Sequence, residues 1–159
     1  MTDDGGLDFV EDDLEGDEIR ALLELHARGM LANSPEGSTH FLDVDGLRAH
    51  DVTFWSVWSD GVLAACGALR EIDPHHGEVK SMRTAPAFLG RGIGRRLLEF
   101  IVDEARGRNY GRVSLETGSA PAFDAARRLY ESAGFVSTGP FGDYVSDPFS
   151  RFYTLDLDA

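Results

Sequence analysis

Glu78-Val79-Lys80-Ser81-Met82-Arg83-Thr84-Ala85-Pro86-Ala87-Phe88-Leu89-Gly90-Arg91-Gly92-Ile93-Gly94-Arg95-Arg96-Leu97-Leu98 reads as a strand, a glycine-rich turn and the start of a helix. Pro86 ends the strand, because proline has no N–H to give to a ladder. Gly90, Gly92 and Gly94 remove side chains where the backbone must bend and where another group can approach it closely. Beyond the turn, Ile93, Leu97, Leu98, Ile101, Val102 and Ala105 recur at steps of three and four and make one helical face. The first N–H groups of that helix fall in the turn, without intrahelical partners, at the positive end of the helix dipole. Such a turn is an anion site, most often for phosphate.

Two familiar phosphate-binding turns are excluded by spacing. A mononucleotide P-loop needs Gly-x-x-x-x-Gly-Lys-Ser/Thr, and the chain contains no Gly-Lys-Ser/Thr. A dinucleotide fold needs Gly-x-Gly-x-x-Gly, whereas the spacing here is Gly90-x-Gly92-x-Gly94.

Composition narrows the class further. A chain of 159 residues is expected to form one domain, 1–159, with a sizeable core. It has no apolar run long enough to span a membrane, and its acidic first residues do not read as a signal peptide, so the cytoplasm is the expected compartment. The single cysteine, Cys66, excludes an internal disulfide and a cysteine-based zinc cluster, and its apolar surroundings read as core. No metal site is expected. A net charge of −13 argues against a nucleic-acid partner. That charge is uneven: acids from Asp3 to Glu18 crowd the first segment, whereas arginines dominate between Lys80 and Tyr130. The glycine turn therefore lies in a locally basic region, which suits a polyphosphate, although solvated helix faces would carry the same arginines.

In chain order, residues 7–12 read as a weak first strand and Asp17–Leu31 as an amphipathic helix that breaks at Asn33-Ser34-Pro35-Glu36-Gly37. A short helix is expected near Asp43–Ala49. Asp51–Trp58, Val62–Leu69 and Glu78–Thr84 form a three-strand meander, with turns at Ser59-Asp60-Gly61 and Asp73–Gly77. After the glycine-turn helix, Arg112–Glu116 is the next strand, joined by a parallel crossover. A helix from Pro121 to about Ala133 stops at Gly134, and Phe135–Val136 and Phe152–Leu157 close the sheet. The loop between them carries Phe141, Tyr144 and Phe149. These aromatics either meet a ligand or a second copy of the chain, giving a homodimer, or fold back onto their own core.

The glycine turn resembles the acetyl-coenzyme-A motif of the GNAT acetyltransferase superfamily, Arg/Gln-x-x-Gly-x-Gly/Ala, with Leu89, Gly92 and Gly94 at its named positions. Leu89 departs from the usual Arg or Gln, and Arg91 is the neighbouring positive charge. A second stretch, Leu129-Tyr130-Glu131-Ser132-Ala133-Gly134-Phe135, matches the family's Leu-Tyr-Glu-x-x-Gly-Phe. The family often has an Asn seven residues before that tyrosine, where this chain has Phe123. The resemblance implies an α/β (α+β) chain with the GNAT acyl-CoA N-acyltransferase fold, a mixed, mostly antiparallel sheet flanked by helices. It also implies acetyl-CoA as cosubstrate. Backbone groups of Met82 and Thr84 would pair with the pantetheine arm, and those across Leu89, Gly90, Arg91, Gly92, Ile93, Gly94 and Arg95 would hold the pyrophosphate.

Acetyl transfer to an amine then requires a neutral amine, a stabilised oxyanion and a thiolate that can leave. A lysine-like amine at pKa ~10.4 is neutral in only about one molecule in a few thousand at pH 7. Glu78 is the first candidate base, at the register where some family members keep a glutamate, and Glu116 on the neighbouring strand is the second. Tyr130 occupies the family's general-acid position. Strand alternation places Glu78, Lys80, Met82 and Thr84 on one face and Arg83 on the other. His75 and His76, in the turn before Glu78, either line the acceptor site or shuttle protons, or are simply solvated. The expected activity is N-acetylation of a small-molecule or protein amine. The alternative is a module of the same fold that binds acyl-CoA as a sensor or partner-binding protein without turnover.

Overall fold

The computed structural model describes residues 6–35 and 43–158. Asp3 and Asp4 of the acidic first segment, and Glu36 and Gly37 of the helix-breaking turn, lie outside them. One seven-stranded sheet runs through the molecule in the order β1-β2-β3-β4-β5-β7-β6. Its strands are β1 (Leu7–Glu11), β2 (Val52–Ser59), β3 (Val62–Asp73), β4 (His76–Thr84), β5 (Arg112–Gly118), β6 (Val136–Thr138) and β7 (Ser150–Asp156). All neighbours pair antiparallel except β4 and β5. That parallel pair needs a crossover, which is supplied by the helix following the glycine turn.

The helices are α1 (Asp17–Asn33), α2 (Val44–Leu47), α3 (Ile93–Gly107) and α4 (Asp124–Ser132). Each forms where the apolar spacing gives it a face to bury. In α3 the six residues of the expected stripe are all buried, against Val57, Ala65, Leu69, Val79 and Val113 of the sheet. In α1, Ile19, Leu22 and Leu23 pack with Leu47 of α2 onto Phe54, Cys66 and Ala68 on the other face. Fully burying an aliphatic side chain stabilises by roughly 1.5–3 kcal/mol, so these two stripes hold the helices to opposite sides of the sheet. Cys66 is core, and burial pushes its thiol up to about 12.

Two irregularities shape the working end. The β4–β5 ladder runs only from His76↔Arg112 to Val79↔Leu115. Beyond Val79 the two strands separate, while β4 continues to pair with β3 as far as Thr84↔Ala65. The second is a bulge in β4. Lys80 pairs with Ala68 and Arg83 with Cys66, so β4 spends one residue more than β3. Ser81, at φ +57°, absorbs the extra residue. The bulge overturns the expected alternation. Glu78 and Lys80 share a face, with Lys80 Nζ 3.2 Å from Glu78 Oε2. Met82, however, packs with Val79 toward the α3 side of the core.

The aromatic loop resolves toward its own core. Phe141 lies 5.9 Å from Phe152 and 5.7 Å from His76, and Tyr144 lies 5.5 Å from Phe152 (ring centroids). Phe149 remains exposed. Among the described residues no helix is long and apolar enough to cross a membrane.

Candidate active site

Gly90 and Gly92 both adopt φ +76°, which a side chain would strain, and no neighbour lies where a Cβ would stand on either. Their glycines are therefore needed for conformation rather than for room. Gly92 is the residue before α3, and no side chain caps the helix there. The first N–H groups of α3 thus point out of the turn with no capping partner. Gly94 is different: a Cβ there would sit 3.4 Å from Thr84 Oγ1 and 3.6 Å from Leu129 Cδ2, so it lets α3 start close against β4 and α4. Ile93 is buried, which leaves only its backbone for a ligand. Leu89 is exposed. Arg91 lies over the Phe88 ring, 5.1 Å from its centroid, and Arg95 Nη1 donates to Ser132 Oγ at 3.0 Å.

Where β4 and β5 part, before β4 runs on to this turn, a cleft opens. Lys80, Ser81, Met82 and Arg83 of β4 line it with Glu116 and Thr117 of β5. Phe123, Ala126 and Tyr130 close one side, and His26, Gly29, Met30 and Asn33 of α1 close another. Two motifs far apart in sequence, the strand before the glycine turn and the Leu-Tyr-Glu helix, are thereby brought to one opening. Lys80 and Arg83, expected on opposite faces, share it because of the bulge at Ser81. Phe123, in place of the family's asparagine, lies against the end of β5, where a Cβ on Gly118 would collide with its ring.

The electrostatics of the cleft follow from burial. Tyr130 is buried on α4, and desolvation, reinforced by the charge of Glu116, raises its hydroxyl to about 12. Glu78 is 1% exposed and does not line the cleft. Its Oε2 accepts from Tyr144 Oη at 2.5 Å and from Lys80 Nζ at 3.2 Å, and Arg70 Nη1 lies 3.7 Å from Oε1. Lys80 Nζ also donates to Tyr144 Oη at 2.9 Å. Burial first, then the charge of Glu78 and its hydrogen bond, raise the Tyr144 hydroxyl well above the usual phenol value. On α1, burial and then the charges of Arg83 and Lys80 hold His26 down to about 4, so its ring is neutral at pH 7.

His76 lies at the far end of β4. It is buried, and its Nε2 is 2.7 Å from Ser114 Oγ, so it neither lines the cleft nor faces solvent; His75 is exposed. Among the described residues no cluster of three His, Cys, Asp or Glu side chains could hold a metal ion. Three features escaped the sequence reading: the Glu78–Lys80–Tyr144 cluster, the inward-facing His26 and the seating of Arg83 on α1. The spacing His26, Gly29, Met30, Asn33 is a helical stripe that could have announced the α1 wall.

A glycine turn opening a helix, a split between the two parallel strands beside it and a buried tyrosine across the gap define an acyltransferase of the coenzyme-A-dependent type. Residues 19–135 match the acetyltransferase (GNAT) family, and the chain belongs to it. It is 47% identical over 146 residues to the N-acetyltransferase YsnE of Bacillus subtilis, covering 92% of this chain and 97% of that one. It is 49% identical over 146 residues to the N-acetyltransferase YedL of Escherichia coli, covering 92% of each. The fold is similar to that of a GNAT family acetyltransferase from Elizabethkingia anophelis solved with acetyl-CoA bound. There the TM-score is 0.71 at 16% identity, over 96% of this chain and 99% of that one.

Proposed function

We propose that the chain transfers the acetyl group of acetyl-CoA directly to a primary amine of a small molecule or protein. The observation that carries this reading is the separation of β4 from β5 after Val79↔Leu115, beyond which Met82 of β4, Glu116 of β5 and Tyr130 of α4 line one cleft. In this reading the N–H groups from Leu89 to Arg95 take the pyrophosphate, and backbone groups of Met82 and Thr84 take the pantetheine amides. The thioester then lies in the gap. The amine nitrogen attacks the carbonyl carbon, the C–S bond breaks, and coenzyme A leaves as thiolate. An amine that arrives as ammonium gives up one proton before attack and a second afterwards; one of the two ends on the coenzyme thiol and the other in solvent.

Glu116 is the base we favour, acting directly or through water, because it lines the cleft beside Tyr130. Glu78 is held by Lys80 and Tyr144, and we give it the role of fixing Lys80. Tyr130 donates a hydrogen bond to the departing thiolate. The test is coenzyme-A thiol release from acetyl-CoA across amines, amino acids, polyamines and lysine peptides, with Glu116→Gln and Glu78→Gln run beside the wild type. Amine-dependent release that collapses in Glu116→Gln, with acetyl-CoA binding retained, is the expected result. Release that persists in Glu116→Gln but is lost in folded Glu78→Gln would return the base to Glu78. Acetyl-CoA binding with no release from any amine would defeat the transferase mechanism.

A further inference from the structure

Arg83 is seated with unusual care for a residue without an acidic partner. Its Nη2 donates to the backbone oxygen of His26 at 3.2 Å, and its buried Nε has no partner among the described residues. No carboxylate among the described residues forms an ion pair with it, in contrast to Lys80, which is paired with Glu78. The guanidinium occupies a notch in α1. A Cβ on Gly29 would collide with Arg83 Nη2, so the helix carries a poor helix former in its interior at the one place the arginine needs room. The Ser81 bulge, itself in a strained conformation, is what turns Arg83 toward this cleft. Beside it, His26 Nδ1 is also buried without a partner. A partly buried, unpaired guanidinium is costly unless something anionic completes it.

We propose that Arg83 binds a carboxylate of the acceptor, so that the amine substrate is of the amino-acid class. This rests on the acetyltransferase reading and deepens it. Arginine's planar fork of donors matches a carboxylate in a bidentate pair. Glu116 and Tyr130 line the same cleft from β5 and α4, and they receive the amine end. The site is thereby complementary to a molecule with an amine at one end and a carboxylate at the other, and a plain amine or polyamine leaves Arg83 uncompensated.

The proposal is tested by comparing L-amino acids with their carboxamides as acceptors, using full-length chain and acetyl-CoA. The wild type is expected to favour the acid over its amide by about 10–100-fold in kcat/KM, the size of a charged hydrogen-bonded pair. In Arg83→Gln that ratio falls toward one, chiefly through KM for the acid. In Gly29→Ala the charge is kept but displaced, and the ratio falls in the same direction. A second arm needs no turnover: calorimetric binding of N-acetyl-amino acids and of their carboxamides to the chain loaded with coenzyme A. Equal use of acid and amide, a ratio preserved in Arg83→Gln, or binding in the second arm that ignores the carboxylate or fails for both ligands would each overturn the proposal. A failure of the transferase reading looks different, as no thiol release from any amine, and the binding arm still decides the role of Arg83.

Discussion

A tyrosine hydroxyl at about 12 lies roughly 3.5 pH units above a thiol at ~8.5, so full proton transfer to the coenzyme thiolate would be uphill by about 5 kcal/mol. Tyr130 therefore serves better as a fixed hydrogen-bond donor than as a source of protons. Removing one such donor typically costs ~10²–10³ in rate. Tyr130→Phe is accordingly expected to lower kcat by about that factor in steady-state assays while leaving acetyl-CoA affinity, measured by titration, unchanged. His26 makes a separate prediction. Its pKa falls from 6.5 to about 4 on folding, so between those values the unfolded chain binds a proton that the folded chain does not. The stabilisation is complete above pH 6.5, is lost as pH falls toward 4, and levels off below; its ceiling is about 3 kcal/mol. Urea unfolding from pH 7 to pH 4 should show this slope, and His26→Gln should flatten it.

At the scale of single elements, the turn before α3 and the bulge in β4 govern the site. Placing a side chain on Gly92 forces it into the left-handed region, at a cost of about 1–2 kcal/mol. Gly92→Ala should therefore lower Tm and weaken acetyl-CoA binding together, both readable in one thermal-shift titration. The turn and α3 were legible in the sequence because local rules decide them: proline stops a strand, and Ile93 to Ala105 keep a helical period. The β4-α3-β5 crossover and the Leu-Tyr-Glu helix were legible for the same reason. The bulge was not, since nothing in Lys80-Ser81-Met82-Arg83 breaks alternation and only the pairing with β3 reveals the extra residue. As a result the sequence alone leads to Glu116 and Tyr130, which line the cleft, and to Glu78, which lies behind it, whereas regular alternation puts Arg83 on the wrong side of the strand.

At the scale of the whole molecule, the long loop before β7 is fastened to the sheet through Tyr144, which reaches back 66 residues in sequence to Glu78. The sequence left this loop open because its aromatics find their partners only once β4, β5 and β7 lie side by side. Glu78 and Lys80 have side chains only 2% and 6% exposed, and removing one partner of such a pair typically costs about 3–5 kcal/mol. Glu78→Gln is thus expected to lose that order of stability in denaturant melts. Its activity is interpretable only at temperatures where the variant remains folded. Tyr144→Phe, which keeps the ring packing but removes the hydroxyl, should lose less, about 1–3 kcal/mol.

The extra residue in β4 works like a phase shift in a periodic signal. Upstream of Ser81, even-numbered residues face α1; downstream, the parity is inverted, and Arg83 takes the side that regular alternation would have given to Met82. Shortening the strand by one at Ser81 would restore a uniform period and rotate the whole downstream segment by half a cycle, at the same time carrying the arginine out of the cleft and drawing the glycine turn one residue nearer the sheet. A single deletion there would change acceptor recognition and coenzyme placement in one stroke, which no point substitution at either site could do.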